Sequence, residues 1–310
     1  MSTIHPNRGS MLQWRRWGFE WLSAVYIALT YGLPTALCLW LFRQTRYPIV
    51  VALGVPLLWT FSFLFIAGLL SLPHRFAVTA GKFFRDLNEP AYFHRRLHGL
   101  CWTMIYYNKP AYFVCLSIPF LKRMTFRLFG YRGSMNFTVY PDTWIRDLPL
   151  LQFEDGVYVS NRATLGTNIV LSNGCLLVDR ITLKQKVLIG HLAILGPGVF
   201  ADVGSEVGIG AVIGIRSKLG PGSYIGGHSD IDNIVRVGRD VVVGPKSYVG
   251  PGAVLADGLK LPRGSVIPPR TKPSTFAHAG SVVNAEDQSL SCHEDLAEHF
   301  LPPTVEAVDD

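Results

Sequence analysis

LIGHLAILGPGVFADVGSEVGIGAVIGIRSKLGPGSYIGGHSD, residues 188–230, is the stretch that decides the fold. Ile189, Leu195, Ala201, Val207, Ile213, Leu219 and Ile225 recur every sixth residue. Extended outward, the same register stays apolar from Phe153 to Ile267, through twenty hexads. Four residues after each apolar position stands a small or branched residue, such as Ala193, Ser205, Ala211, Ser217 or Ser229. A short fixed period of this kind is the mark of a solenoid. Each hexad supplies one short strand and one corner, with the aliphatic and the small residue turned inward. Glycine follows the aliphatic residue in ten of the twenty hexads, and is expected there because it tolerates unusual backbone angles. Three hexads close one triangular coil, so twenty give about six and two-thirds coils. At ~4.8 Å per coil the prism is ~32 Å long.

Counting in coils of eighteen places outward residues in columns. The array holds two histidines, His191 and His228. Asn173 falls directly one coil before His191. His228 falls in the adjacent column two coils beyond it, about 10 Å away. Lys184 falls beside Asp202 as a solvated pair. The last hexad position reads Tyr158, Leu176, Ile194, Val212, Asp230, Tyr248 and Val266, an outward apolar stripe broken once. A stripe this long is expected to be covered, by a second copy of the chain through Leu176, Ile194, Val212 and Tyr248, or by the first half of the chain.

That first half is a different material. The chain of 310 residues is 49% hydrophobic and 16% charged, with mean hydropathy +0.26. Typical soluble domains carry about 25% charge, so an ordinary soluble enzyme and a disordered chain are both excluded. Residues 1–150 hold sixteen basic and five acidic residues, net +11, while residues 151–310 hold thirteen and seventeen, net −4. Residues 21–42 and 49–72 are uncharged runs long enough to span a bilayer, separated only by RQTRYP. Residues 1–72 therefore read as a membrane hairpin. Bases flank both of its ends, which places both termini and the β-helix in the cytoplasm. Residues 73–152 read as an interfacial helical segment and the lead-in to the array, 153–272 as the β-helix, and 273–310 as an acidic, mobile tail with a short helix near Asp295. The bases of the first half are assigned to membrane lipid, which accounts for the positive charge without nucleic acid. One cluster, His94, Arg95, Arg96 and His98, is alternatively a site for a substrate phosphate or carboxylate.

The repeat resembles the hexapeptide-repeat acyltransferases, whose fold is a left-handed parallel β-helix. The resemblance implies a mainly β fold preceded by the helical hairpin. It also implies transfer of an acyl group from acyl-CoA or an acyl carrier protein thioester to a hydroxyl or amine near the membrane, with no bound cofactor. It makes His191 the candidate general base, oriented by Asn173. An imidazole suits that proton transfer near neutral pH. His228 and Asn168 become candidate substrate contacts. A narrower resemblance covers FLKRMTFRLFGYRGSMNFTVYPDTWIRDLPLLQFEDGVYVSNRATLG, residues 120–166. Arg127 to Gly130, Asp142, Asp147, Leu150, Leu151 and Asp155 follow the outline of the membrane-bound terminal modules of poly-amino-acid-forming nonribosomal peptide synthetases. Thr167 and Asn168 stand where those modules carry a histidine. No metal is expected, since zinc needs three or four ligands and the five cysteines show no ligand spacing. The rival expectation is a non-enzymatic β-helix scaffold or an inactive relative that binds a partner through the apolar face.

Overall fold

The computed structural model describes residues 8–45 and 48–272. The acidic tail, its expected helix and Cys292 lie outside the described residues. Helices α1 (Arg8–Gln44) and α2 (Pro48–Ser71) form the hairpin. Two segments, Arg16–Gln44 and Gly54–Ala77, are long and apolar enough to cross a membrane; the first reaches a few residues beyond the expected 21–42 at both ends, and the second lies five residues further along than the expected 49–72. Tyr31 of α1 meets Trp59 and Phe63 of α2 ring to ring, while Trp21, Leu39, Trp40 and Leu57 face outward.

Next come β1 (Gly81–Phe84) and three helices, α3 (Pro90–Tyr107), α4 (Lys109–Ser117) and α5 (Pro119–Leu128). The apolar run 110–121 is cut into α4 and α5 because Pro119 forces Ile118 into an extended conformation. Proline then starts α5 from its first turn, where no backbone N–H is needed. Gly68 of α2 sits where an added Cβ would stand 2.7 Å from Leu128, so α5 approaches the hairpin closely. Trp102 of α3 donates to the Ile145 carbonyl at 2.6 Å and meets Tyr112, Phe126 and Phe129 edge-on. This aromatic plug closes the first end of the prism.

The prism is a parallel β-helix. It opens with β2 (Phe137–Val139), β3 (Trp144–Ile145), β4 (Leu151–Phe153), β5 (Val157–Val159) and β6 (Thr164–Leu165), and so begins before Phe153. Its three parallel sheets hold seven, seven and six strands. The total equals the twenty hexads counted in sequence, yet the members differ. The hexads of Leu171 and Leu177 are not rungs. They belong to a hairpin of β7 (Asn168–Val170) and β8 (Cys175–Val178) that leaves the prism between its second and third sheets. Strand β8 pairs antiparallel with β1, Phe84 opposite Cys175 and Gly81 opposite Val178. Within this coil Tyr158 opposes Leu188, and Thr164 opposes Ile194. In the following coils partners step by eighteen, as from Ile194 to Val212. The excursion adds twelve residues, two whole hexads. The hairpin therefore keeps the phase of the repeat while stepping out of it.

This excursion corrects three expectations. The residue one coil before His191 is Asn161, not Asn173, since Ile189 opposes Val159. Leu176 is not on the outward stripe. It is buried with Val78, Leu150 and Val178, and Tyr158 belongs to a different sheet. The second-sheet column is Trp144, Thr164, Ile194, Val212, Asp230, Tyr248 and Val266. Lys184 does stand beside Asp202, but its ion pair is with Glu154, at 2.6 Å.

The repeat glycines act through space. In several coils the backbone angle of the corner is taken three residues after the aliphatic position, where φ is positive at Gly222 and equally at His228, Asp240 and Lys246. The glycine directly after the aliphatic residue has no positive φ, but a Cβ at Gly226 would stand 2.4 Å from Pro245 N of the next coil. Gly226→Ala is expected to cost about 1–3 kcal/mol or more by forced displacement of backbone. Gly258→Asn, at φ 71° in open space, is expected to cost under about 1 kcal/mol, since asparagine visits that region. Thermal unfolding of the two variants in detergent checks the contrast.

Candidate functional site

Two places on the molecule gather chemistry. The first is the corner between the first and second sheets. His191 lies there on the turn after Leu188–Ile189, and His228 on the turn after Tyr224–Ile225. Their backbones are two coils apart, yet the His228 ring leans back: a Cβ on Gly210 would stand 2.7 Å from its Nδ1. The Gly210 amide donates to the His191 carbonyl at 2.8 Å. The two histidines thus share one corner of the β-helix, their backbones about 10 Å apart along the axis. Exposed Leu192 and Ile209 flank them. Neither ring has a hydrogen-bond partner among the described residues. Asn173, expected to orient His191, lies in the β7–β8 turn, where its side chain accepts from Cys175 N at 3.0 Å.

The second place is the corner between the second and third sheets, where α3 meets the lead-in strands and the hairpin. Asp147 is fully buried at φ 55°. It accepts from the Arg95 guanidinium and from Thr167 Oγ1 at 2.7 Å. Burial lowers the Arg95 pKa, and Asp147 opposes that shift. His98 lies one turn along α3, with Nε2 3.3 Å from the Phe129 carbonyl. Burial is the main cause holding its pKa down, at about 4, so it is neutral at pH 7. Above Asp147 opens a cleft of about 540 Å³ lined by Arg85, Arg95, Arg96, Arg146, Thr103 and Asn168, with Phe19 and Ser23 of α1 at its edge. The Arg146 guanidinium rests on α3 at Gly99, where a Cβ would stand 2.4 Å from Nη2. Arg96 stacks over Phe19, 4.6 Å from the ring centre.

Of the residues singled out from sequence, the structure brings His191 and His228 to one corner. It brings Asn168, Arg95 and Arg96 to the other, and leaves Asn173 at neither. His94 instead meets His74 at 2.8 Å, ring nitrogen to ring nitrogen. Sequence reasoning missed Arg146 and Arg85. The available signal was the helix-interior Gly99, since glycine in a helix is unfavourable and needs a packing reason. Among the described residues no three His, Cys, Asp or Glu side chains form a metal-binding group.

The architecture is that of a hexapeptide-repeat β-helix. No known family profile matches the chain, and no curated protein matches it. Among solved structures, one match is the acetyltransferase domain of PglB from Neisseria gonorrhoeae in complex with acetyl coenzyme A. It is 14% identical with TM-score 0.28, over 49% of this chain and 61% of that one. Another is a variant of GDP-perosamine N-acetyltransferase from Caulobacter crescentus in complex with CoA and GDP-perosamine. It is 17% identical with TM-score 0.18, over 49% of this chain and 60% of that one. The chain spans about three-fifths of the length of these proteins.

Proposed function

We propose that the chain is a membrane-anchored acyltransferase that moves an acyl group from acyl-CoA to an amine or hydroxyl acceptor near the membrane. The observation that carries this reading is that the array's two histidines share one corner of the β-helix. In this reading His191 takes the proton from the acceptor as it attacks the thioester carbonyl, and the thiol leaves as CoA. His228, at the same corner, contacts substrate. The long apolar faces of α1 and α2 hold the prism at the bilayer, with both termini and the β-helix in the cytoplasm. Tethering raises the local concentration of catalyst at a membrane-borne acceptor. The test is acyl-CoA turnover by the purified chain in detergent, wild type against His191→Ala. Absence of turnover with every amine and hydroxyl acceptor tried would reject the enzyme.

A second reading, a non-catalytic platform, is favoured by one observation: among the described residues no hydrogen bond orients either imidazole. Under both readings the exposed second-sheet column is an interface with another copy of the chain, centred on Ile194 and Val212 (Leu176, buried in the hairpin, has no part in it). Ile194→Asp with Val212→Arg is expected to reduce the particle mass in detergent, read by light scattering. An unchanged mass removes the interface.

A further inference from the structure

We infer that the arginine cleft between α1, α3 and the β7–β8 hairpin is a binding site for the phosphate group of a membrane lipid. Four guanidinium groups, on Arg85, Arg95, Arg96 and Arg146, line it, and one buried carboxylate, Asp147, stands beneath them. That carboxylate engages Arg95 closely and lies 3.9 Å from Arg146 Nε. Arg95 Nη1 and Arg146 Nε are buried with no hydrogen-bond partner among the described residues. A buried guanidinium N–H left unpaired is costly, and a phosphate oxygen seated in the cleft would satisfy both donors. Arginine's planar fork matches that anion in two parallel bonds. The setting is built for the purpose: Gly99 gives Arg146 room against the helix, Phe19 and Tyr92 hold Arg96, and Thr103 and Asn168 add polar groups.

The position in the chain identifies the source of the phosphate. Phe19 and Ser23 line the cleft and lie near the start of the apolar segment Arg16–Gln44. Trp17 and Trp21 beside them are exposed, as residues at the headgroup level are. The cleft is therefore at headgroup depth. The choice of a lipid rests on the membrane anchoring proposed above and is independent of acyl transfer.

The test uses the full chain in nanodiscs of phosphatidylcholine with or without phosphatidic acid, and in parallel with inorganic phosphate. Lipid retained after extraction is counted by native mass spectrometry. Wild-type protein is expected to enrich phosphatidic acid over phosphatidylcholine. Arg96→Gln and Arg146→Gln are each expected to weaken that enrichment about tenfold or more. Gly99→Ala keeps every charge but displaces the Arg146 guanidinium, and is expected to weaken it likewise. Arg180→Gln, outside the cleft, is expected to leave it unchanged. Equal enrichment in the cleft variants and wild type, their far-UV circular dichroism being unchanged, overturns the site. Stabilisation by inorganic phosphate without enrichment of the lipid overturns the lipid as its source. A chain that stays in solution without detergent overturns the anchoring instead, so the two failures are told apart.

Discussion

His191→Ala is expected to lower kcat/KM for acyl-CoA turnover by about a hundredfold or more, the usual contribution of a general base. The expectation follows from the local backbone as much as from the residue type. His191 sits on a corner whose carbonyl is fixed by the Gly210 amide, so the turn holds its place when the ring is removed. A loss of activity would then report lost chemistry, with the unfolding temperature unchanged as the control. His228→Ala is expected to act chiefly on KM, because its ring is drawn onto Gly210 and in the proposed mechanism contacts substrate without taking the proton. Turnover that survives His191→Ala would remove the residue from the mechanism.

Asp147→Ala is expected to have the largest effect on stability. It removes the carboxylate that holds the Arg95 guanidinium and Thr167, and leaves a buried charge without a partner. Breaking a buried pair from one side costs about 3–5 kcal/mol, a fall in Tm on the order of 10 °C for a chain of this size. Asp142→Ala is the contrast. Its pairing with Lys109 is at 3.6 Å between half-exposed side chains, and such pairs contribute about 0–1 kcal/mol. Differential scanning calorimetry in one detergent separates the two. An Asp147→Ala transition within about 1 °C of wild type would show that Arg95 finds another anion.

The fold was largely legible in sequence because inward aliphatics on a six-residue period admit few other structures. Ile189 to Ile267 stand where the count puts them. What misled was commensurability. The hairpin carrying Leu171 and Leu177 adds twelve residues, two whole hexads, so apolar positions stayed in phase while the chain stood outside the prism. Every neighbour inferred across that coil was displaced, including Asn173 and Leu176. The corner glycines were legible in position but not in cause, since the contact that requires Gly226 is with Pro245 of the next coil. The arginine cleft was half legible. Arg95 and Arg96 form a visible run, whereas Arg146 arrives from the lead-in strand, and only tertiary packing brings it onto Gly99.

The antiparallel seam between β1 and β8 has a mechanical consequence. A catalytic domain on a flexible linker sweeps a hemisphere over the bilayer and meets acceptors at any distance the linker allows. Here the last residues before α3 are stitched through β1 to the β7–β8 hairpin that projects from the prism, and α5 is seated on α2 at Gly68. In the proposed membrane-anchored reading, the prism is a rigid mast whose footing is set by helices α1 and α2. The histidine corner would then stand at one fixed elevation, and an acceptor would be selected partly by how far its reactive group protrudes from the membrane surface.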